Sequence, residues 1–250
     1  MKNHSPSIPG NPTWFTLWRP RDYDACSTSG PVAYLNNKKF FFEIVLVNDG
    51  STDRTQEICD RIIREDPRVR LVSYTPNRGK GYAVRKGMLA ARGRYVLFMD
   101  ADLAVPIRFV SPCLEHLKNG APVVVASRHL PDSSLKVRET PIRQLLGEAF
   151  RRMAILGLGL KVTDITCGFK GFTRKAAHRV FSHSRIERWG YDAEVIFLAQ
   201  KYGYHIGEIP VEWHHSFDSK VRVGIDAVRT LIEMFKVRYN DLARRYGAGM

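Results

Sequence analysis

The alternation of apolar and polar positions changes character near residue 40. Residues 1–39 carry Pro6, Pro9, Pro12, Pro20 and Pro31 without sustained periodicity. An irregular N-terminal arm is expected there, with Trp14, Phe15, Leu17 and Trp18 as an apolar cluster inside it. From Phe40 onward, short continuous apolar runs alternate with amphipathic segments. Phe42 to Val47 reads as a strand, with Asn48-Asp49-Gly50-Ser51 as the turn after it. A helix is expected from about Thr52 to Glu65, with Asp53 in its first turn, where the helix dipole favours a carboxylate. Val69 to Tyr74 is the next strand, and Asn77-Arg78-Gly79 turns into a helix ending near Arg92-Gly93. Tyr95 to Met99 is a third strand, running into Asp100-Ala101-Asp102. A helix near Ile107 to Lys118 then leads to a fourth strand, Val123 to Ala126. Continuous apolar strands separated by helices predict an α/β fold, a mostly parallel sheet with helices on both faces.

After Arg128 the rhythm is lost, and two amphipathic helices stand out, at about 139–157 and 226–245. Pro141 suits the first position of the earlier one. Ile142, Leu145, Leu146, Ala149, Met153 and Leu156 share one of its faces. In the later helix Val228, Leu231, Ile232, Phe235, Tyr239 and Leu242 line one side, with Arg229, Lys236, Arg238, Arg244 and Arg245 adding charge. Two readings stay open: core-packed helices with solvated basic faces, or interfacial helices whose cations meet anionic headgroups.

Composition narrows the class. With 250 residues, 44% hydrophobic and 26% charged, the chain can bury a core, which excludes a disordered or collagen-like protein. The 39 Lys+Arg against 25 Asp+Glu leave +14, which calls for an anionic partner. The basic residues are dispersed and no zinc-finger, RNA-recognition or helix-turn-helix signature is present, so nucleic acid is not the expected partner. Cys26, Cys59, Cys113 and Cys167 form no C-x-x-C pair, which fits a reducing compartment rather than a disulfide framework. Met153 to Leu160 is too short for a bilayer span, which takes about 20 residues. The opening residues show no apolar signal-peptide core. A soluble chain is expected.

Residues able to do chemistry gather at predicted strand ends, where ligands bind in open α/β sheets. Asp49 follows the first clear strand. Asp100 and Asp102 follow the third, as two turn aspartates or as a carboxylate pair for Mg²⁺, which takes one or two carboxylates plus substrate phosphates. Arg128 follows Ser127 and could clamp a phosphate bidentately or simply pair with a carboxylate. Asn77-Arg78-Gly79-Lys80-Gly81 lacks the spacing of a nucleotide-hydrolysing phosphate loop. His214-His215 has no partner at ligand spacing, and Cys167 stands alone, so neither reads as a metal site or nucleophile.

In order along the chain, Glu43-Ile44-Val45-Leu46-Val47-Asn48-Asp49-Gly50-Ser51-Thr52-Asp53 is followed by Asn77-Arg78-Gly79-Lys80-Gly81 and Arg85-Lys86-Gly87-Met88. Next come Asp100-Ala101-Asp102, Ser127-Arg128 and Asp164-Ile165-Thr166-Cys167-Gly168-Phe169-Lys170. The last two are Arg188-Trp189-Gly190-Tyr191-Asp192-Ala193-Glu194 and Ser219-Lys220. This ordered set resembles the family-2 inverting glycosyltransferases of glycosyltransferase A-type, Rossmann-like fold. Among these it is most similar to enzymes that load a sugar onto a polyprenyl phosphate, dolichyl-phosphate glucosyltransferases above all.

The resemblance implies roles for individual residues. Asp49 and Lys80 would serve the nucleotide-sugar donor. Asp100 and Asp102 would hold Mg²⁺ or Mn²⁺ against its diphosphate. Arg128 and Arg143 would grip the acceptor phosphate, Lys220 would reach the donor phosphates from a closing loop, and Asp192 and Glu194 would lie near the acceptor. Catalysis would thus rest on Asp102, Arg128, Asp192 and Lys220. Leu103-Ala104-Val105-Pro106 after the aspartate pair favours a UDP-glucose donor over GDP-mannose, the alternative.

Two features depart from the family pattern. Ser7-Ile8-Pro9-Gly10-Asn11 is a poor echo of the Pro-x-x-Asn-Glu-like turn that ends the family's first strand, so residues 1–39 are expected to be irregular and the catalytic domain to run over 40–250 without that strand. A catalytically silent relative is the corresponding alternative. The transmembrane anchor of some relatives is also missing from the sequence. The protein is therefore expected to be cytoplasmic and peripheral, meeting its polyprenyl-phosphate acceptor at an anionic membrane surface on the cytoplasmic face.

Overall fold

The computed structural model describes residues 13–19, 29–100, 102–135, 141–214 and 223–247. Strand β1 (Thr13–Arg19) and helix α1 (Ser29–Asn37) come first, followed by β2 (Phe42–Asp49), α2 (Thr55–Glu65), β3 (Val69–Tyr74), α3 (Lys80–Ala90) and β4 (Tyr95–Asp100). After a 3-10 turn at Ile107–Phe109 come α4 (Val110–Lys118), β5 (Val123–Ser127) and β6 (Ser134–Leu135). The remaining elements are α5 (Pro141–Leu158), β7 (Phe169–Thr173), α6 (Arg174–His183), α7 (Tyr191–Lys201), β8 (Ile206–Pro210), β9 (Glu212–Trp213) and α8 (Val223–Leu242).

Seven strands form one sheet in the order β3-β2-β1-β4-β7-β5-β8, and β6 and β9 pair separately. Every pairing in the large sheet is parallel except those of β7, which runs antiparallel to β4 and β5. Period-2 burial divides the core between the two faces. Phe42, Ile44, Leu46, Leu97 and Val124 point to one side, where Cys59 and Ile62 of α2 and Cys113, Leu114 and Leu117 of α4 cover them. Val45, Val47, Val96, Phe98 and Val125 point to the other, under Val84 and Met88 of α3, Val180 of α6, Val195 of α7 and Val237 of α8. All eight residues of β2 are buried, and its centre, Ile44 to Val47, is accordingly an unbroken apolar run.

The expectation of an irregular N-terminus without a first strand is corrected. Residues 13–19 form β1, and this strand lies in the middle of the sheet, with Phe15 opposite Ile44 on one side and Leu97 on the other. Thr-Trp-Phe-Thr-Leu-Trp-Arg is rich in the β-branched and aromatic residues that favour pleated backbone. It escapes a periodicity search because Thr13 and Thr16 interrupt its apolar run without making it alternate. Parallel neighbours on both edges supply its ladder hydrogen bonds. Helix α2 also begins later than expected, because Asp53 Oδ1 accepts from Thr55 N at 2.9 Å and holds residues 53–55 in a turn.

Candidate active site

The parallel strands β2, β4 and β5 deliver Asp49, Asp100 and Ser127-Arg128 to the same end of the sheet. Because β7 is antiparallel, with Met99 opposite Phe169, it brings the preceding stretch from Asp164 to Gly168 to that end as well.

Asp49 is buried and shapes the loop before α3. Its carboxylate accepts from Asn77 Nδ2 at 2.9 Å, Arg78 N at 2.7 Å and Gly79 N at 2.8 Å. Gly79 has φ +107°, and a Cβ there would lie 2.7 Å from the Glu187 carbonyl oxygen. The Asn77-Arg78-Gly79-Lys80-Gly81 motif is therefore a close-packed loop that aims Lys80 inward.

Lys80 is buried, its Nζ 2.9 Å from Asp100 Oδ2 and 2.8 Å from Oδ1. Burial works against its charge, but the carboxylates of Asp100, Asp192 and Asp102 outweigh it and hold its pKa above the ordinary lysine value. The rings of Trp189 and Tyr191 lie 5.6 and 5.9 Å from the ammonium. Asp100 Oδ1 is buried and accepts no aligned hydrogen bond from the described residues, despite its ion contact with Lys80. Asp102 opens to solvent, with Oδ1 accepting from Ala104 N at 3.0 Å. The surrounding protein and then the Asp100 carboxylate raise its pKa. Leu103 completes the turn at φ +52°, in the left-handed region, and donates its N–H to Asp100 O at 3.1 Å. A leucine in that conformation costs roughly 1–2 kcal/mol, the kind of local strain found where a turn must aim side chains.

These residues fit a divalent cation. Asp100 presents a buried oxygen that meets Lys80 only as an ion contact, without an aligned hydrogen bond, and Asp102 is an exposed carboxylate of raised proton affinity beside it. Among the described residues no three His, Cys, Asp or Glu side chains converge as a cage. An ion held by Asp100 and Asp102 would therefore complete its oxygen shell from substrate phosphate and water.

Gly168 guards this geometry: a Cβ there would fall 2.0 Å from Asp100 Oδ2. Gly168→Ala is expected to push the carboxylate aside and reduce any cation affinity by at least about tenfold, a cost of about 1.4 kcal/mol. Titrating Mn²⁺ into both proteins checks it.

Behind the aspartates lies a second buried ion pair. Lys170 on β7 is wholly buried and donates to Cys167 O at 2.8 Å and to Asp192 Oδ1. Burial raises the Asp192 pKa, against the pull of Lys170 and Lys80. Glu194, by contrast, accepts from Arg185 N and Ile186 N, both at 2.9 Å, and from the Tyr246 hydroxyl at 2.6 Å. It ties the loop before α7 to the C-terminal segment. Burial of the Cys167 thiol pushes its pKa up to about 12, so it is a poor nucleophile at neutral pH.

Arg128 pairs with Asp164, Nε to Oδ2 at 2.8 Å and Nη2 to Oδ1 at 3.1 Å, and also donates to Thr166 Oγ1 at 2.7 Å. Burial alone would raise the Asp164 pKa, but Arg128 holds it down to about 2. With the folded value below the unfolded one, this stabilisation is complete above about pH 4 and is lost as pH falls towards 2. It amounts to roughly 2–3 kcal/mol. Asp164→Asn is expected to flatten acid denaturation across that window, which urea titrations at successive pH values would reveal.

Arg143 lies in the first turn of α5, and its side chain is outside the described residues, as are Lys220 and His215 altogether. The expected helices at about 139–157 and 226–245 correspond to α5 and α8. Their apolar stripes are only partly in the core. Ala154, Leu158, Met234 and Val237 pack inward, while Met153, Leu156, Ile232, Phe235, Tyr239 and Leu242 face solvent. Phe235 and Leu242 are 76% and 83% exposed, so the wholly core-packed reading does not hold for these faces.

The description Glycosyl transferase family 2 matches residues 33–181. The chain belongs to that family. This glycosyl transferase family 2 chain is 37% identical over 202 residues to a dolichyl-phosphate beta-glucosyltransferase of Trichomonas vaginalis, covering 77% of this chain and 60% of that protein. It is 34% identical over 224 residues to the one of Dictyostelium discoideum, covering 84% and 68%. Against the Saccharomyces cerevisiae one it is 33% identical over 214 residues, covering 79% and 64%. The chain thus spans about 60% of the first of these relatives and 64% and 68% of the other two. Among solved structures, glucosyl-3-phosphoglycerate synthase from Mycobacterium tuberculosis superposes with TM-score 0.64 at 17% identity, covering 90% of this chain and 80% of that one. That likeness concerns the fold: the family's α/β sheet of glycosyltransferase A type, with helices on both faces.

Asp164 and Lys170 carry no separate site signal in the sequence. Both stood inside a motif already marked, and their role as buried counter-charges became visible only when β7 set them against Arg128 and Asp192.

Proposed function

We propose that this chain transfers a sugar, glucose from UDP-glucose, to the phosphate of a polyprenyl or dolichyl lipid with inversion at the anomeric carbon. The observation that carries this reading is the group at the end of β4: the Asp100 carboxylate, with both oxygens 2.8–2.9 Å from the buried Lys80 ammonium, and the exposed carboxylate of Asp102 beside it. The identity to dolichyl-phosphate beta-glucosyltransferases supports the acceptor class.

Asp100 and Asp102 would hold Mg²⁺ or Mn²⁺, which neutralises charge on the departing diphosphate. Lys80 adds a fixed positive charge at the same place, already paid for in folding by its carboxylate partners. Asp49 acts at one remove, through the Asn77–Gly79 loop it organises. A lipid phosphomonoester has a second pKa of about 6, so its attacking oxygen is mostly ionised at pH 7 and needs orientation rather than a strong base. Asp192, tied to Lys170, then serves to position Lys80. Arg128, held by Asp164, and Arg143 on α5 would compensate the acceptor phosphate. The alternative of a silent relative rested on a missing first strand, and β1 fills that place in the sheet.

Among the described residues no helix is long and apolar enough to cross a membrane. The exposed apolar residues of α5 and α8, beside Arg229, Lys236 and Arg238, support contact with an anionic membrane surface, which we assign to the cytoplasmic leaflet. The reading is tested by giving the purified protein labelled UDP-glucose or GDP-mannose with Mg²⁺ and a short polyprenyl phosphate. Transfer from UDP-glucose is expected. Preferential transfer from GDP-mannose would move the protein to the mannosyl class, and no transfer by folded protein from either donor would overturn the reading.

A further inference from the structure

Helix α3 begins at Lys80, and Gly79 before it has no side chain to cap the helix's first amides. The loop at residues 184–190 does so instead, with Glu187 O accepting from Tyr82 N at 3.0 Å. A Cβ on Gly81 would fall 2.6 Å from Ile186 O, so loop and helix meet without spare room. Glu187 also pairs with Arg78, and Trp189 lies over the Lys80 ammonium. The position of this loop therefore sets that of Lys80. The loop is held in turn by Glu194, whose buried carboxylate accepts from the amides of Arg185 and Ile186. A buried carboxylate is costly unless its oxygens are satisfied. Among the described residues the Tyr246 hydroxyl, 2.6 Å away, completes the set. Tyr246 is itself buried, in the segment that folds back after α8. Its carbonyl accepts from the Tyr202 hydroxyl at 2.7 Å, and its hydroxyl accepts from Asn240 Nδ2 at 3.3 Å. Arg185 Nη2 donates to the adjoining Arg245 carbonyl at 3.1 Å, and Glu233 of α8 adds a further tie by accepting from Gly190 N at 2.7 Å.

We propose that Tyr246 and Glu194 are positioning residues for Lys80: through the loop at residues 184–190 they cap α3 and fix the ammonium beside Asp100. The inference rests on the reading that Lys80 meets the donor diphosphate, and it assigns part of the donor site to the segment that follows α8. Neither residue touches substrate. The carboxylate acts through backbone amides of the loop, and the hydroxyl acts through the carboxylate. Small displacements matter here, because a fixed charge stabilises a leaving group only where it is held in place beforehand.

Steady-state kinetics and amide hydrogen exchange on the full chain test this. Tyr246→Phe keeps the ring and deletes only the hydroxyl. It is expected to raise the KM for the sugar donor and lower kcat, each by at least about threefold, and to leave the KM for the acceptor unchanged. The amides of Tyr82, Arg185 and Ile186 should exchange at least about tenfold faster, while those of β4 keep the wild-type rate. Glu194→Leu should show the same pattern more strongly, if it folds. Glu194→Gln still presents an oxygen to the loop amides and should keep all three kinetic constants within about twofold. A lower melting temperature with unchanged kinetic constants and unchanged exchange at Tyr82, measured well below the transition, would overturn the positioning role and leave Tyr246 as packing alone. An equal rise in the KM for donor and acceptor would also overturn it, in favour of general loosening. Should the wild-type protein transfer no sugar, the catalytic reading falls, and the exchange at Tyr82 still decides whether Tyr246 holds the start of α3.

Discussion

Asp102→Asn should lower sugar transfer by at least about 10³-fold without unfolding the protein. Asp102 is exposed and its mapped bond is local, from Ala104 N, so the amide can replace it with little structural cost. What the amide cannot replace is a negative charge facing the proposed divalent cation, and such charge stabilisation is worth several kcal/mol in the transition state. Asp100→Asn should be as inactive but should also lose stability, because it strips buried Lys80 of its nearest carboxylate. The two variants thus separate chemistry from folding: equal loss of activity, unequal loss of melting temperature. If Asp102→Asn kept more than about a tenth of the turnover, the carboxylate pair would not be the centre of the site.

The largest effect on stability is expected at Lys170. It is wholly buried, on an interior strand, and its ammonium is shared between the Cys167 carbonyl and the Asp192 carboxylate. Lys170→Met roughly keeps the volume but leaves Asp192 as an unpaired buried charge, at a cost of about 3–5 kcal/mol. For a chain of this size that is a fall in melting temperature of about 6–20 °C. Adding Asp192→Asn to Lys170→Met should restore part of the loss, because the charge left unpaired is then gone. Calorimetry of the three proteins measures it. The same pair bears on mechanism: Asp192→Asn alone should keep turnover within about tenfold if the residue positions Lys80, whereas a loss near 10³-fold would identify it as a general base.

How much of this could be read from the sequence depended on how each segment buries itself. β2, β4 and β5 lie in the interior of the sheet, where apolar runs dominate them, β3 closes one edge, and the structure places all four within a residue or two of expectation. β7 and β8 are five residues each, with Gly171 or Gly207 inside them and Lys170 or Glu208 in their runs, which hides their strand character. β1 was hidden differently: its threonines break the apolar run although they suit a strand. The aspartates at strand ends were visible because an α/β sheet gathers its ligand groups there. The pairings of Lys80 with Asp100, Lys170 with Asp192 and Arg128 with Asp164 span 20, 22 and 36 residues and needed the folded topology. Exposure of Phe235 and Leu242 was equally invisible, since an amphipathic stripe looks the same whether it meets a core or a membrane.

The central claim, that Asp100 and Asp102 hold a divalent cation at the donor diphosphate, is tested most directly by electron paramagnetic resonance of Mn²⁺ titrated into the full chain with and without UDP. One bound ion per chain, tightened by UDP and weakened at least about tenfold by Asp102→Asn, is the predicted result. Mn²⁺ binding that is absent, or that is the same in the variant and indifferent to UDP, would contradict it.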